Sequence, residues 1–215
     1  MIMKTCVIFD LDGTLIDSRQ DLTDAVNWMR AQFQLPPLAL KQVVGYIGNG
    51  VKLLAERSLK GTDITLEQGL PLLKKYYHEH MVDNTCLYPG VAEGLTTLRH
   101  SGIKLAVITN KPHPATLEIL KKLNAYDDFD TIIGGDSGFP LKPHPAPLLH
   151  FVEKCGAIPA QSWMCGDHYT DLEAGRRAGM KRCFAAYGFG TPKDEQCEYS
   201  VSAFPEFVSL CLSQL

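Results

Sequence analysis

The apolar positions change rhythm along the chain, and each change marks an element. Thr5-Cys-Val-Ile-Phe9 is a short β-favouring run that stops at Asp10-Leu-Asp-Gly-Thr14, which reads as a buried strand entering a turn. The run is continuous rather than alternating, the pattern of a strand covered on both faces, as in a parallel sheet. After Ser18 the period becomes helical. Leu22, Ala25, Val26, Met29 and Phe33 line one face, Ser18 stands at the N-cap position, and Pro36-Pro37 ends the stretch. Val51, Leu54, Ala55 and Leu59 repeat the helical spacing, and so do Leu66, Leu70, Leu73 and Tyr77. Pro71 inside that last set predicts a kink or a later helix start. The stretch 17–86 thus predicts helices and no strand, with Leu70, Leu73 and Tyr76-Tyr77 as its own small core.

Beyond Pro89-Gly90, helices and strands alternate. Helices are predicted over 91–100, 114–123, 145–155, 170–178 and 204–212, and strands over 104–108, 131–133, 162–165 and 181–185. Such alternation implies right-handed βαβ crossovers and a parallel sheet. The predicted architecture is α/β: a Rossmann-like parallel sheet core formed by 1–16 and 87–215, with 17–86 inserted as a small helical cap. One pentapeptide occurs twice, Lys111-Pro-His-Pro-Ala115 and Lys142-Pro-His-Pro-Ala146, each time after a strand and at the start of a helix.

Composition narrows the class. The chain has 215 residues, 45% hydrophobic and 21% charged, ordinary values for a folded protein of one domain with an insert, or two small ones. A net charge of −3 gives no sign of a nucleic-acid or polybasic membrane partner. The seven cysteines are scattered and form no C-x-x-C pair, which argues against a disulfide framework or zinc ribbon and fits a reducing, cytoplasmic location. No apolar run is long enough to span a membrane, and Lys4 stands so close to the Asp-rich turn that a signal peptide has no room.

Polar residues collect where the predicted strands end, the edge on which open α/β sheets build their sites. The first strand delivers Asp10 and Asp12, two apart and so directed alike, followed by Gly13 for a sharp turn. The second delivers Thr109 and Asn110. A Gly-rich stretch after the third leads to Lys142, and the fourth delivers Asp167 and, four residues on, Asp171. Carboxylates so gathered repel unless a cation joins them, and hard oxygen ligands beside a lysine and a hydroxyl point to Mg²⁺ with a phosphate.

The segments Asp10-Leu-Asp-Gly-Thr14, Val107-Ile-Thr-Asn110, Lys142-Pro143 and Gly166-Asp-His-Tyr-Thr-Asp171 resemble, in order and spacing, the four motifs of the haloacid dehalogenase superfamily. The likeness spans essentially the whole chain. Phe9 to Ser18, Tyr88-Pro-Gly-Val91, Thr109-Asn-Lys-Pro112 and Ala174 to Met180 are similar to its phosphoglycolate phosphatase-like branch. The resemblance implies a phosphomonoester hydrolase acting on a small phosphorylated metabolite, 2-phosphoglycolate first, with sugar phosphates and nucleoside monophosphates behind it.

It also implies roles. Asp10 would attack phosphorus and carry an aspartyl-phosphate, and Asp12 would protonate the leaving oxygen, its proton held by neighbouring negative charge. Mg²⁺ would be held by Asp10, the backbone carbonyl of Asp12 and Asp167, with Asp171 supporting Asp167 or Lys142. Thr109, the Asn110 backbone and Lys142 would bind the phosphoryl oxygens. Dehalogenase members lack the second Asp and the magnesium carboxylates, so carbon–halogen cleavage is disfavoured here. A phosphosugar mutase and a non-catalytic metabolite-binding protein are the alternatives on the same scaffold. The latter usually loses Asp10, Asp12 or Lys142, and none is lost.

Other features weigh less. The cap loop Gly48-Asn49-Gly50 is the candidate substrate contact and Lys52 a candidate anion partner, with ordinary turn and surface-helix roles standing equally beside these. His168 departs from the serine more common in the branch and reads as a polar loop histidine. Cys165 reads as a buried strand cysteine and His78-Glu-His80 as a solvated helix face. Cap closure is expected to hinge near Asp17-Ser18 and Thr85-Pro89.

Overall fold

The computed structural model describes residues 5–215; the first four positions, Lys4 among them, lie outside the described residues. Strand β1 (Cys6–Phe9) leads through the turn at Gly13 into a two-residue strand β2 (Ile16–Asp17). Helices α1 (Arg19–Ala31), α2 (Leu40–Val44), α3 (Val51–Leu59) and α4 (Leu66–His80) follow, and β3 (Cys86–Leu87) returns the chain to the sheet. The remainder alternates: α5 (Val91–His100), β4 (Lys104–Ile108), α6 (His113–Lys122), β5 (Thr131–Ile133), α7 (Ala146–Cys155), β6 (Trp163–Gly166), α8 (Tyr169–Arg177), β7 (Lys181–Ala185), β8 (Tyr199–Val201) and α9 (Phe204–Leu212).

Six strands form one sheet in the order β5-β4-β1-β6-β7-β8, every pairing parallel. Both faces are covered, which is why the strands read as unbroken apolar runs. Val7, Phe9, Leu105, Val107 and Trp163 point into the larger core with Phe204 and Phe207 of α9. Cys6, Ile8, Ala106, Ile108 and Met164 point into the other, against Leu148, Phe151 and Val152 of α7. Phe9 meets Phe207 edge-on at 5.4 Å between ring centroids, and truncating a ring so enclosed costs about 3–5 kcal/mol.

Between β2 and β3 the chain is helical, as expected, with three differences. The stretch does not lack strands altogether at its limits: β2 and β3 pair antiparallel, Ile16 with Leu87 and Asp17 with Cys86. Two residues per strand are too few for an alternation to register in sequence. Helix α4 starts at Leu66 behind a capping box at Thr65 and runs through Pro71 on its exposed side, so Pro71 does not delay it. Ser18 occupies the N-cap of α1 but makes no cap bond; its hydroxyl donates to Asp12 instead, at 2.6 Å. Helix α2 is five residues long, too short for a helical period, and strand β8, Tyr199-Ser-Val201, lacks an apolar run.

The two chain crossings into the helical segment are tied by one buried carboxylate. Asp21 accepts from the Asn84 and Thr85 amides at 2.9 and 2.8 Å and from the Thr85 hydroxyl at 2.6 Å. No helix among the described residues is long and apolar enough to cross a membrane.

Candidate active site

Strand register brings the polar termini together. Phe9 pairs with Val107 on one side and Cys165 on the other, so Asp10, Thr109 and Asp167 leave three adjacent strands at one edge. Gly13 turns the chain directly after Asp12, at φ +83°, and a Cβ on it would lie 1.9 Å from Asp167 Oδ2. Only glycine permits that approach.

Carboxylate oxygens of Asp10, Asp167 and Asp171 lie within 4.8 Å of one another, all buried. Lys142 reaches in from the loop after β5, its ammonium 2.9 Å from Asp10 and 2.6 Å from Asp171. Three carboxylates against one ammonium leave two negative charges, the complement of a divalent cation. The protein alone bears the cost of that imbalance. Burial and the Asp171 charge push the Asp10 carboxyl up to about 6 despite Lys142, and burial with Asp10 and Asp171 holds Asp167 well above the carboxylate range. The donor set and the charge both fit a hard cation.

Asp167 is enclosed by a loop that motif spacing does not reveal. The Phe189 and Gly190 amides donate to its Oδ2 at 3.1 and 2.6 Å, and a Cβ on Gly188 or Gly190 would collide with Asp167. The signal was available in Gly188-Phe-Gly190 after the β7 strand, two glycines framing one residue. Asp171 accepts the His168 amide at 3.0 Å in the first turn of α8, so it meets both Lys142 and the loop that presents Asp167.

Asp12 stands apart from the three acids. Both its oxygens accept from the Lys111 ammonium, at 2.9 and 3.0 Å, and Lys111 also donates to the Tyr77 hydroxyl of α4 at 2.7 Å. The charge nearest Asp12 is therefore positive, contrary to the expectation of negative neighbours. Burial pulls the Lys111 ammonium down, but Asp12 and Tyr77 outweigh it and hold its pKa above the ordinary lysine value. Lys111 is the functional candidate that motif reading overlooked. Its signal lay in the repeated pentapeptide, whose other copy begins with Lys142.

A cavity of about 270 Å³ lies between the helical segment and the sheet edge. Leu22, Ala25, Leu54, Leu73 and Met81 supply apolar wall, and Asp10, Asp12, Thr109 and Lys111 are at its floor. Gly48 and Gly50 line it. The Asn49 side chain instead donates to the Tyr169 hydroxyl at 3.0 Å, and Lys52 is exposed on α3. The Asn110 side chain works as a clamp: it accepts from the Lys142 amide at 2.8 Å and donates to the carbonyls of Lys142 and Gly48 at 2.9 and 3.1 Å.

His168 lies in the loop before α8, as read, but not on the surface. It is buried at the N-cap of α8, its ring 2.9 Å from the Thr170 hydroxyl and packed under Gly48, and burial lowers its pKa to about 4. Cys165 is buried in β6, and burial pushes its thiol well above the usual range. On α4, the exposed His78 pairs with Glu118 of α6 and His80 with Asp83.

A family model for haloacid dehalogenase-like hydrolases matches residues 7–185. The chain belongs to that family. It is similar to a phosphoglycolate phosphatase of Psychrobacter arcticus, 37% identical over 96% of this chain and 94% of the relative. A phosphoglycolate phosphatase of Neisseria meningitidis is 40% identical over 86% of this chain and 81% of its own. Among solved structures, one described as a predicted phosphoglycolate phosphatase from Haemophilus somnus superposes with a TM-score of 0.92 at 29% identity, covering 98% of this chain and 99% of that one. The six-stranded parallel sheet with a helical segment between β1 and β3 is the family's architecture, and the chain is a phosphoglycolate phosphatase-like hydrolase whose buried acids can hold a metal ion.

Proposed function

We propose that the chain hydrolyses a small phosphomonoester, 2-phosphoglycolate first among candidates, through a phosphoryl group carried on Asp10. The observation that carries the reading is the cluster of Asp10, Asp167 and Asp171 with Lys142, in which Asp10 lines the floor of a substrate-sized cavity. Asp10 Oδ attacks phosphorus as the ester oxygen departs, so one P–O bond forms while another breaks. Asp12, two residues along and facing the cavity, gives its proton to the departing oxygen and takes one from the water that later cleaves the aspartyl-phosphate. Thr109, the Asn110 backbone and Lys142 hold the phosphoryl oxygens and oppose the charge that grows on them.

Asp10, Asp167 and the Asp12 carbonyl would hold Mg²⁺, with Asp171 orienting Lys142. Bound there, Mg²⁺ would neutralise the acids and phosphoryl oxygens. Residues 17–86 act as a cap that excludes water once seated, as the Asn110–Gly48 hydrogen bond supports. Cap–core distances that stay the same with and without Mg²⁺ and a phosphate analogue would count against closure. The whole reading is tested by phosphate release with Mg²⁺ across a panel led by 2-phosphoglycolate, sugar phosphates and nucleoside monophosphates. Release concentrated on one ester and abolished in Asp10→Asn is expected; no release from any, with the fold intact, would overturn it.

A further inference from the structure

Lys111 is a buried charge in the site that the proposed hydrolysis does not use. Its side chain is 4% exposed, and its ammonium bonds to two groups, Asp12 from the sheet edge and Tyr77 from α4. Of the two lysines that line the cavity, Lys74 is exposed on α4 and Lys111 is buried at the floor. Much of the remaining wall is apolar and offers an anion nothing.

We propose that Lys111 is the specificity-determining residue, and that it receives a carboxylate carried on the carbon next to the leaving oxygen. The substrate class is then the phosphate esters of 2-hydroxycarboxylates. The inference rests on the reading that Asp12 acts at the leaving oxygen. A leaving oxygen served by Asp12 sits about 2.7 Å from it, and Lys111 Nζ sits 2.9 Å from the same carboxylate. Both positions border one group, so they are neighbours, and a carboxylate one carbon from the leaving oxygen comes within reach of the ammonium.

Charge makes the arrangement selective. Lys111 is balanced by Asp12 while both Asp12 oxygens face it. When Asp12 carries the proton that it gives to the leaving oxygen and turns to that oxygen, the buried ammonium keeps only the neutral Tyr77 hydroxyl, and such a charge is costly without a counter-charge. A substrate carboxylate supplies that partner; an ester without one does not. Tyr77 fixes the ammonium from the helical segment, so the subsite is complete only when that segment is seated on the sheet edge.

The test compares 2-phosphoglycolate with ethyl phosphate, which has the same reacting end and a methyl in place of the carboxylate. The quantity read is the ratio of the two kcat/KM values, in which any general damage to Asp12 cancels. The wild type is expected to favour 2-phosphoglycolate by ~10³-fold or more, since a site built around a charged partner rejects analogues lacking it. Lys111→Met is expected to collapse that ratio at least ~10²-fold, mainly through KM for 2-phosphoglycolate. Tyr77→Phe removes one hydroxyl and keeps the ion pair, so it stands in should Lys111→Met fail to fold; a ~3–10-fold fall in the ratio is expected. Equal losses on both esters in either folded variant would make Lys111 a mere support for Asp12 and overturn the proposal. So would a wild type without preference that still hydrolyses both esters. A wild type that hydrolyses neither would instead sink the hydrolase reading beneath it.

Discussion

Lys111 and Lys142 open the same pentapeptide, each follows a strand of the sheet, and each ends on an aspartate of the first turn. Their surroundings differ. Lys142 meets Asp10 and Asp171, both from the α/β core, and its backbone is clamped by Asn110 beside a cis peptide to Pro143. Lys111 meets one partner from that core and one from the helical segment, and it lines the cavity between them. Identical local sequence starts a helix in both places, yet tertiary contact decides what the charge does. One ammonium balances acids whose positions are fixed; the other spans the boundary that a substrate enters.

That contrast can be broken from either side. The largest effect is expected for Asp10→Asn, which removes the phosphoryl acceptor beside Lys142: loss of more than ~10³-fold in kcat on every ester, measured by phosphate release. Lys142→Ala is expected to cost ~10²–10³-fold on all esters alike, where Lys111→Met alters the ratio between them. The same Lys142 variant leaves Asp10 and Asp171 buried without their counter-charge, and denaturant unfolding without Mg²⁺ should register a loss of about 3–5 kcal/mol.

A smaller effect concerns pH. In the metal-free protein Asp10 titrates at about 6 against an ordinary 3.8. Its folded form thus holds a proton that the unfolded chain has released, and folding loses stability as pH rises through that window. Unfolding midpoints of the wild type, measured relative to Asp10→Asn, should fall from pH 4 to above pH 6 and recover when Mg²⁺ is added. The smallest effects are expected at the cap loop. Asn49→Ala removes a contact to Tyr169 rather than to substrate and should change kcat/KM by less than ~3-fold, and Lys52→Ala on the exposed face of α3 should change nothing.

Much of the fold was legible because its elements bury whole faces. The unbroken runs at Cys6–Phe9 and Lys104–Ile108 announce strands covered on both sides, and the stripe from Leu22 to Met29 announces α1. Strands β2 and β3 were not legible, since two residues carry no period, and Tyr199-Ser-Val201 of β8 offers no apolar run like the one that marked the equally short β5. The acids and Lys142 were legible as strand-end polar residues in an order that resembles a family. Lys111 was marked only by the repeated pentapeptide, and its contacts with Asp12 and Tyr77 were not legible, because nothing local says that α4 will bury it. His168 stands in the loop at the N-cap of α8, as a polar loop histidine, but its burial under Gly48 is a tertiary fact that the sequence does not show. Asn49 and Gly50 stood together in sequence, but only the glycines of that loop line the cavity.

The central claim is that phosphate leaves its ester by way of Asp10. Rapid acid quenching of the wild-type protein during turnover of 2-phosphoglycolate with Mg²⁺, followed by peptide mass spectrometry, tests it most directly, because the phosphoryl group must reside on the protein between the two displacements. The account expects the phosphoryl group on the peptide carrying Asp10 and nowhere else. Phosphorylation of another residue, or turnover with no labelled peptide while phosphate is still released, would contradict it.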